Sequence, residues 1–405
     1  MTNRCPVHAN PMPFDADYYA NPYPVYEKLH TEGTVHRICT PDGAPAWLVI
    51  GYDEVMTCLI DRRFVRKRWY ASPDFMGDAV LPAMVRHGNV IMEDPPEHTR
   101  LRRMMNHAFL PSRIELLRGH VQHEVDELLN AIAANGETNG RTADLMSALA
   151  VPLPVSVVAD ILGVPKPERP NFRGWANNAF GGTPEQAQAS LTSLFEMVKD
   201  LVAERRVRPK EDFTSYLISA TDAKGQHLVE HEVIGMVYFI ILGGFDSTAG
   251  TIGNTMHALL QDKPLLQELK DNPELIPRAL EELMRFVGPQ QSGIRRFAAE
   301  DVELGGQQIK AGDTLILCLA AANRAPEKFP EPTSVDFSRR RGDHVAFGKG
   351  PHICPGADLA RMEMSIAVTE LLRRFPDLQL AVPPDKITWR TSYVLRVPME
   401  LPVKF

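Results

Sequence analysis

The stretch HVAFGKGPHICPGADLARME, His344–Glu363, places a single cysteine between a glycine-rich loop and the start of a helix. The first N–H groups of a helix have no intrahelical partner, so this end favours an anion and lowers the pKa of a thiol. Gly348, Gly350 and Gly356 allow positive φ and a close approach of the backbone to another group. The stretch therefore predicts that Cys354 is presented as a thiolate beside a flat or bulky partner.

Two other interpretations of Cys354 are open on these residues alone. A lone cysteine in a glycine turn is more often a buried structural residue than a reactive one. A nucleophilic cysteine needs a general base. His352 lies two residues away, but proximity in sequence does not establish contact. The rest of the chain has to decide among the three interpretations.

The composition is that of an ordinary soluble globular protein, with 44% hydrophobic and 23% charged residues among 405. The net charge of −7 argues against nucleic-acid binding, which needs a basic excess. The five cysteines are scattered and form no C-x-x-C pair, which predicts free thiols in a reducing compartment. The chain has no signal-peptide pattern and no apolar run of ~18 residues, so we expect a cytoplasmic protein that does not use a membrane.

Hydrophobic periodicity predicts a mainly helical protein with small β-sheets and a single domain over residues 1–405. One amphipathic helix should end at Asn135-Gly136. Residues 230–261 are apolar nearly all round, which predicts one buried helix ~48 Å long. Gly305-Gly306 should turn a hairpin, and the last helix should run from Ala357 to Phe375, before Pro376.

The full string around the cysteine is F-x-x-G-x-x-x-C-x-G, filled by Phe347, Gly350, Cys354 and Gly356. It resembles the cysteine-ligand loop of the cytochrome P-450 family, the haem-thiolate monooxygenases, in its bacterial form. The resemblance covers the chain from about Asp15 to Phe405 and implies a triangular-prism fold with a long central helix over haem b. It implies that the cysteine thiolate is the axial ligand of the iron.

A second family motif, E-x-x-R, matches Glu282 and Arg285, which share one helix face at i, i+3. Alone, such a pair is common surface chemistry worth ~0–1 kcal/mol. The resemblance implies a buried network with a further arginine upstream of the cysteine loop. That arginine is Arg339 by the family's pattern, with Arg340 as the alternative, and the network should fix the cysteine loop.

The apolar central segment carries GGFDST, with Gly243, Gly244, Asp246, Ser247 and Thr248. As plain sequence, Asp246 or Ser247 could cap a second helix. The family pattern A/G-G-x-D/E-T matches here, with serine where threonine is usual. The resemblance implies a widened helix groove for O₂ and water. Asp246 and the hydroxyl of Ser247 or Thr248 should then relay protons.

The resemblance also implies a set of residues that bind the haem propionates. His98 and Arg102 stand i, i+4 in PPEHTRLRR and share one helix face. Arginine suits a carboxylate because it can donate two hydrogen bonds. The other propionate contacts map to Arg296, with Arg295 as the alternative, and to His352.

The chain has no flavin or iron–sulfur motif, so electrons from NAD(P)H should arrive through a separate ferredoxin and ferredoxin reductase. The basic run Arg62–Arg68 is interpreted first as a solvated loop. With Arg100, Arg103 and Lys349 it could also form a positive face for an acidic ferredoxin.

The expected reaction is oxygenation of a hydrophobic small molecule such as a natural product, terpenoid, steroid or polyketide. Oxidative coupling, desaturation and a haem-binding sensor or carrier without turnover are the alternatives. The substrate side chains are expected in five regions that line the family's pocket. They are Trp69, Phe75, Met84, Trp175, Ile241, Gly244, Phe245, Gln291, Ile294 and Val394.

Overall fold

The computed structural model describes residues 12–41, 43–72, 88–138, 140–293, 295–340 and 342–405. Helices dominate the described chain. They are α1 (Ala16–Ala20), α2 (Tyr23–Glu32), α3 (Tyr52–Ile60), α4 (Glu97–Asn106), α5 (Pro111–Thr138), α6 (Pro152–Leu162), α7 (Arg169–Gly181), α8 (Pro184–Val207), α9 (Phe213–Ser219), α10 (Glu230–Gly244), α11 (Asp246–Gln261), α12 (Lys263–Asp271), α13 (Ile276–Val287), α14 (Leu319–Ala322) and α15 (Ala357–Arg374).

Short strands form three sheets. The strands are β1 (Val35–Cys39), β2 (Pro45–Val49), β3 (Phe64–Val65), β4 (Thr142–Asp144), β5 (Arg296–Ala298), β6 (Val302–Leu304), β7 (Gln307–Ile309), β8 (Thr314–Leu317), β9 (Gln379–Leu380) and β10 (Pro402–Lys404). The largest sheet has the order β1-β2-β8-β5-β3, and β4-β10-β9 and β6-β7 form the others. The fold is thus mainly α with small β-sheets, as the sequence predicts.

Two large cores hold the helices together. Helices α5, α11, α13 and α15 share one core, in which side chains such as Leu129, Met256, Leu283 and Leu371 are almost fully buried. Helices α6 to α10 share the second. Each fully buried side chain of this size stabilises the fold by ~1.5–3 kcal/mol. The functional site described below lies where the two cores meet, along α10 and α11.

The central segment differs from the prediction because it is two helices rather than one. α10 ends at Gly244 and α11 begins at Asp246, with Phe245 between them. The hydroxyls of Ser247 and Thr248 donate to the carbonyl oxygens of Gly243 and Gly244 at 3.2 and 3.3 Å. Hydroxyls that bond to the i−4 carbonyl bend helices, since they compete with the backbone ladder.

The same segment is long and apolar enough to cross a membrane by length and composition. However, 78% of its most apolar window is buried inside the protein. Its side chains pack in the two cores described above, so the apolar character is explained by the interior of this fold.

The sheets fix the strands next to the site. β2 and β8 pair in parallel, with Trp47 opposite Leu315, and β5 pairs antiparallel with β8. Gly305 and Gly306 adopt φ of 54° and 74° between β6 and β7, which confirms the predicted hairpin. Arg296 is the first residue of β5, so its buried position is set by the largest sheet.

Two local predictions were wrong. α5 continues past Gly136 to Thr138, and a Cβ at Gly136 would lie 2.7 Å from the Phe405 ring, so this glycine gives room to an aromatic ring. Cys39 is disulfide-bonded, whereas Cys58, Cys318 and Cys354 are free. The sequence analysis predicts instead that the scattered cysteines are all free thiols.

Candidate functional site

A cavity of about 320 Å³ lies between the broken central helix and the loop that carries the cysteine. Its wall combines the cysteine loop, the start of α11, helix α15 and strand β5. Twelve of the residues named from the sequence line it. They are Arg102, Gly243, Gly244, Ser247, Thr248, Arg285, Arg296, Phe347, Gly348, His352, Cys354 and Gly356.

The cysteine loop is held by its own backbone. The N–H of Cys354 donates to the carbonyl oxygen of Phe347 at 2.9 Å. Gly348 and Gly350 adopt φ of 68° and 70°, which favours glycine. A Cβ at Gly350 would lie 2.8 Å from the carbonyl oxygen of Leu59, so α3 packs directly against the loop. The sequence therefore fixes the sulfur in one place.

The electrostatics at the sulfur differ from the prediction. Burial raises the pKa of the Cys354 thiol above its ordinary value, while the Gly356 N–H and then the Arg102 guanidinium act in the opposite direction. Pro355 has no N–H to donate, so Gly356 supplies the amide next to the sulfur. Burial thus outweighs the helix end. A cation at the sulfur would hold it as a thiolate, as metal coordination does.

Basic side chains gather at one end of the cavity. The rings of His98 and His352 lie 4.1 Å apart between centroids, and Arg102 and Arg296 line the cavity beside them. Burial and then Arg102 lower the pKa of His98 to about 4. Burial and then Arg296 also lower the pKa of His352. A concentration of buried basic groups of this kind is suited to an anionic ligand.

One atom in this cluster lacks a partner. The Nε2 of His98 is buried and has no hydrogen-bond partner in the described part of the chain. Burial lowers the pKa of Arg296 to about 10, against the attraction of Asp94. Buried polar groups normally have partners. The cluster therefore fits a ligand that brings carboxylates to this end of the cavity.

The alternative Arg295 points elsewhere. Its guanidinium donates to the hydroxyl of Tyr393, and it does not line the cavity. Arg296 follows it at the start of β5, where the pleat alternates the side-chain direction from one residue to the next.

The structure joins Glu282, Arg285 and Arg339 in one buried network. Arg285 donates to both carboxylate oxygens of Glu282 at 2.8 and 2.7 Å, and Nε of Arg339 donates to Glu282 at 3.1 Å. Arg340 is exposed. The bidentate pairing is the geometry in which an arginine–carboxylate contact is strongest.

Asn323 connects this network to the cysteine loop. Its backbone carbonyl accepts from Nη1 of Arg285 at 3.0 Å, and its Oδ1 accepts from the N–H of Val345 at 2.7 Å. Val345 in turn accepts from the N–H of Gly348 at 2.8 Å. Four consecutive contacts thus run from a helix carboxylate to the loop that holds the cysteine.

The predicted proton relay is only partly assembled. Ser247 and Thr248 line the cavity, but Asp246 does not. The Asp246 carboxylate is buried and accepts from Nη1 of Arg390 at 2.9 and 2.7 Å. The acid is thus bound to the terminal segment of the chain, on a side that the cavity does not reach.

Most of the predicted substrate residues lie away from the cavity, Gly244 excepted. Trp69 and Val394 are 64% and 40% exposed. Ile241 and Phe245 are buried among α6 to α10, and Trp175 packs against the same core. Helix rotation explains the miss at Ile241, because each residue turns by ~100° and Ile240 lines the cavity instead.

Gln291 also lies elsewhere, since its Oε1 accepts from the hydroxyl of Tyr26 at 3.3 Å. Its neighbour Gln290 lines the cavity. Phe75, Met84 and Ile294 lie outside the described residues.

Several lining residues carry no motif that would have identified them. Apolar side chains from the segment before α4, from α6 and from α10 cover the wall opposite the cysteine. They are Val90, Ile91, Val158, Ile161, Phe239 and Ile240. Glu363 also lines the cavity from α15, is 1% exposed, and has a buried Oε2 with no hydrogen-bond partner among the described residues. In the sequence, Glu363 could have been identified as a single carboxylate among the apolar positions of α15.

The basic run was interpreted wrongly at one position. Arg66 is buried, and its Nε donates to the carbonyl oxygen of Ile91 at 2.8 Å. Lys67 pairs with Glu93 at 3.2 Å, and Arg100 pairs with Glu97 and Glu232. Arg62, Arg63, Arg68, Arg103 and Lys349 are exposed, and Lys349 stands in the cysteine loop itself.

A family model described as cytochrome P450 matches residues 170–400, more than half of the chain. The chain belongs to the cytochrome P450 family. The cytochrome P450 monooxygenase PikC of Streptomyces venezuelae is 41% identical over 96% of this chain and 92% of its own length. Nocardicin C N-oxygenase of Nocardia uniformis is 38% identical over 96% and 97%. The solved P450 PksS of Bacillus subtilis superposes with a TM-score of 0.88 at 34% identity, over 97% and 99% of the two chains.

As a P450 monooxygenase, the protein is an oxidoreductase that uses haem and accepts electrons from redox partners. It inserts one oxygen atom from O₂ into a hydrophobic small molecule. The residues present fit the haem. Of the described cysteines only Cys354 faces the cavity, and glycines clear the space beside it. The basic cluster, with a His98 nitrogen that has no partner in the described part of the chain, is suited to two carboxylates.

Proposed function

We propose that the cavity binds haem b with Cys354 as the axial ligand of the iron and with Arg102, Arg296, His98 and His352 on the propionates. The haem supplies oxygen activation when it is bound. The observation that carries the proposal is the cavity with the Cys354 thiol on its wall and buried basic side chains at one end. Phe347, Gly348, Gly350 and Gly356 shape the loop around the sulfur.

We infer that the Glu282–Arg285–Arg339 network is structural and keeps the cysteine loop in register. Breaking a buried ion pair by removing one partner is costly, because a charge is left without compensation. The network acts through Asn323 and Val345, so its contribution to function is the position of the sulfur.

Protons for the reaction should pass through the hydroxyls of Ser247 or Thr248, which line the cavity wall. Both hydroxyls donate to helix carbonyls, so each oxygen keeps a lone pair that can accept a hydrogen bond from water. Asp246 is the acid next to them in the chain and supplies the proton in this proposal.

The substrate proposed is a natural product of polyketide type. The wall opposite the cysteine is built from aliphatic and aromatic side chains, with Gln290 as a hydrogen-bonding group in reach. Such a wall selects a large apolar molecule with a few polar handles. PksS is a P450 of the bacillaene polyketide synthase system, and the other relative is a nocardicin C N-oxygenase, which supports a natural product as the class.

Electrons should come from NAD(P)H through ferredoxin reductase and ferredoxin in the cytoplasm, and residues 1–405 should act as one domain. The exposed cations Arg62, Arg103 and Lys349 would complement an acidic ferredoxin. Oxidative coupling or desaturation would use the same site without inserting oxygen. The product formed would distinguish these reactions from oxygenation.

The decisive experiment is spectroscopic. The purified protein should contain haem b, and its reduced CO complex should show the thiolate-type Soret band. Macrolide lactones and fatty acids should displace the sixth ligand and shift the Soret band. NADPH oxidation with ferredoxin and reductase should then yield a product that carries one added oxygen atom. A colourless protein would disprove the proposal, and haem without ligand-dependent turnover would favour a sensor or carrier.

A further inference from the structure

One buried arginine connects the apolar wall of the cavity to its basic end. Arg66 is 4% exposed. Its Nε donates to the carbonyl oxygen of Ile91 at 2.8 Å, and its Nη1 donates to the carbonyl oxygen of Arg295. Ile91 lines the cavity, and so does Arg296, which follows Arg295 in the chain. A single side chain therefore spans two parts of the cavity that belong to different segments.

The segment 88–94, which carries this wall, has a shape of its own. Oδ1 of Asn89 accepts from the N–H groups of Ile91 and Met92 at 3.0 and 3.1 Å, and Asn89 is 0% exposed. Nη2 of Arg66 lies 3.7 Å from the sulfur of Met92. The turn at Asn89 thus presents the Ile91 carbonyl and the Met92 sulfur to the same guanidinium.

The backbone of Arg66 is fixed on two sides. Arg66 directly follows β3, which pairs antiparallel with β5. Its N–H donates to both carboxylate oxygens of Asp94 at 3.0 and 2.9 Å. A guanidinium presents its donors in a rigid, planar fork. The separation of the Ile91 and Arg295 carbonyls is therefore set by the shape of one side chain on a fixed backbone.

We propose that Arg66 is a positioning residue that determines which ligand sizes the site accepts, because its guanidinium holds the Ile91 wall at a fixed distance from the basic end of the cavity. The inference rests on the proposed haem site and the proposed apolar substrate wall. A fixed apolar wall discriminates between ligands that differ by one methylene group by ~10–200-fold. Without the fork the wall can move, and this discrimination should fall.

Arg66 also carries a charge near the basic end, and this second effect has to be separated from the first. Burial, then Arg296, His98 and Arg66, lowers the pKa of His352. If the charge alone mattered, lysine would replace Arg66 fully. If the fork matters, lysine should replace it only in part, because an ammonium group is a flexible point charge.

The test is a set of Soret titrations of the holoenzyme with imidazole, phenylimidazole and clotrimazole. These three probes bind the haem iron through the same kind of ring nitrogen and differ in bulk, so the substrate need not be known. The measured quantity is the ratio of the Kd of phenylimidazole to the Kd of clotrimazole. The variants are Arg66→Met, Arg66→Lys and Asn89→Ala.

We expect Arg66→Met to raise this ratio about tenfold, because the released wall admits the bulky ligand and packs less closely on the smaller one. Imidazole is too small to press on the wall and should bind as in wild type. Arg66→Lys should give an intermediate ratio. Asn89→Ala should also raise the ratio, since it releases the same segment without changing any charge.

Arg63→Met is the matched control. Arg63 stands on the same stretch of chain, but it is exposed and pairs with Asp61 at 2.6 Å. Its loss should change none of the three dissociation constants.

Hydrogen–deuterium exchange adds a readout that depends on neither ligand nor turnover. Amides of residues 88–94 should exchange faster in Arg66→Met than in Arg63→Met, because local opening becomes easier when a segment loses its contacts. If Arg66→Met does not fold, Arg66→Lys and Asn89→Ala give the same comparison.

Three results would overturn the inference: an unchanged ratio, an equal shift for all three probes, or full rescue by Arg66→Lys. A wild-type protein without the thiolate Soret band of the reduced CO complex would contradict the proposed haem site instead. The exchange measurement would then still test whether Arg66 holds the segment.

Discussion

The cysteine side and the opposite wall of the cavity are built in different ways. On the cysteine side, a chain of hydrogen bonds runs from Glu282 through Arg285 and Asn323 to Val345 and the loop. The opposite wall takes apolar side chains from three separate parts of the chain, the segment before α4, then α6 and α10. One side depends on directed hydrogen bonds and the other on packed shape.

This difference has a consequence for what each side can tolerate. Directed, buried contacts fail when one partner is lost, because the remaining partner is left unpaired. Packed apolar walls tolerate changes that keep volume and polarity, usually at a cost below ~1.5 kcal/mol. Changes on the cysteine side should therefore weaken or alter haem binding, whereas changes on the opposite wall should alter which molecule binds.

The largest effect is expected at Cys354. Cys354→Ala removes the only sulfur among the described cysteines that lines the cavity, so the reduced CO complex should lose its thiolate-type Soret band and turnover should cease. Cys58→Ser is the control, because Cys58 is a free and buried cysteine that does not line the cavity. A thiolate band that survives Cys354→Ala would show that the two sides have been assigned wrongly.

The next effect is expected at the buried network. Glu282→Gln leaves Arg285 and Arg339 without their shared carboxylate, which should destabilise the protein by about 3–5 kcal/mol. Denaturant titration should show the loss, together with faster release of haem. Arg340→Ala should change neither quantity, because Arg340 is exposed. Equal effects at Glu282 and Arg340 would mean that the cysteine side does not depend on this network.

A pH-dependent effect is expected at Glu363. Burial raises the pKa of Glu363 to about 8 from 4.5, so between these values the folded protein holds a proton that the unfolded chain has lost. Stability should therefore fall as pH rises from 4.5 to 8, by roughly 1.4 kcal/mol per pKa unit at most. Glu363→Gln removes this loss.

The measurement for Glu363→Gln is the thermal midpoint across pH. The variant should match wild type near pH 4.5 and gain stability steadily up to pH 8. Glu370→Gln lies on the same helix and pairs with Arg373, so it should lower stability slightly at all pH values. A gain at Glu363 that is independent of pH would point to packing rather than ionisation.

The smallest effect is expected on the opposite wall, at two adjacent glycines. A Cβ at Gly243 would meet nothing within 4 Å, whereas at Gly244 it would lie 2.8 Å from Cγ2 of Val158. Gly243→Ala should keep the fold and weaken binding of the bulkiest ligands about tenfold, as an extra methyl group does in an apolar pocket.

Gly244→Ala should instead lower the thermal midpoint, because α6 has to shift to admit the methyl group. Soret titrations with macrolide lactones and fatty acids of increasing size separate binding from stability. If Gly243→Ala weakened the binding of small and large ligands equally, the opposite wall would not select ligands by their shape.

The cysteine side could be predicted almost residue by residue. Phe347, Gly350, Cys354 and Gly356 stand in one local string, and a loop of ten residues has few ways to present its sulfur. The structure also joins Glu282 to Arg285 and Arg339, which the family pattern had placed together across 57 positions.

The opposite wall could not be predicted in the same way. Whether Ile240 or Ile241 faces the cavity depends on the rotation of α10, and that rotation is set by packing against α6 and by the break at Phe245. No residue near Asp246 in the sequence predicts its ion pair with Arg390. Side-chain direction at such positions is decided by partners far away in the chain, which periodicity does not identify.

Asn323 has a practical consequence for exchanging parts between relatives. Its backbone carbonyl accepts from Arg285 and its side chain accepts from the cysteine loop, so a crossover placed between residues 282 and 356 would separate residues that contact each other. The segment from α6 to α10 packs mainly within its own core. Chimeras that exchange this segment and keep residues 282–356 intact should still bind haem, while their substrate specificity should change.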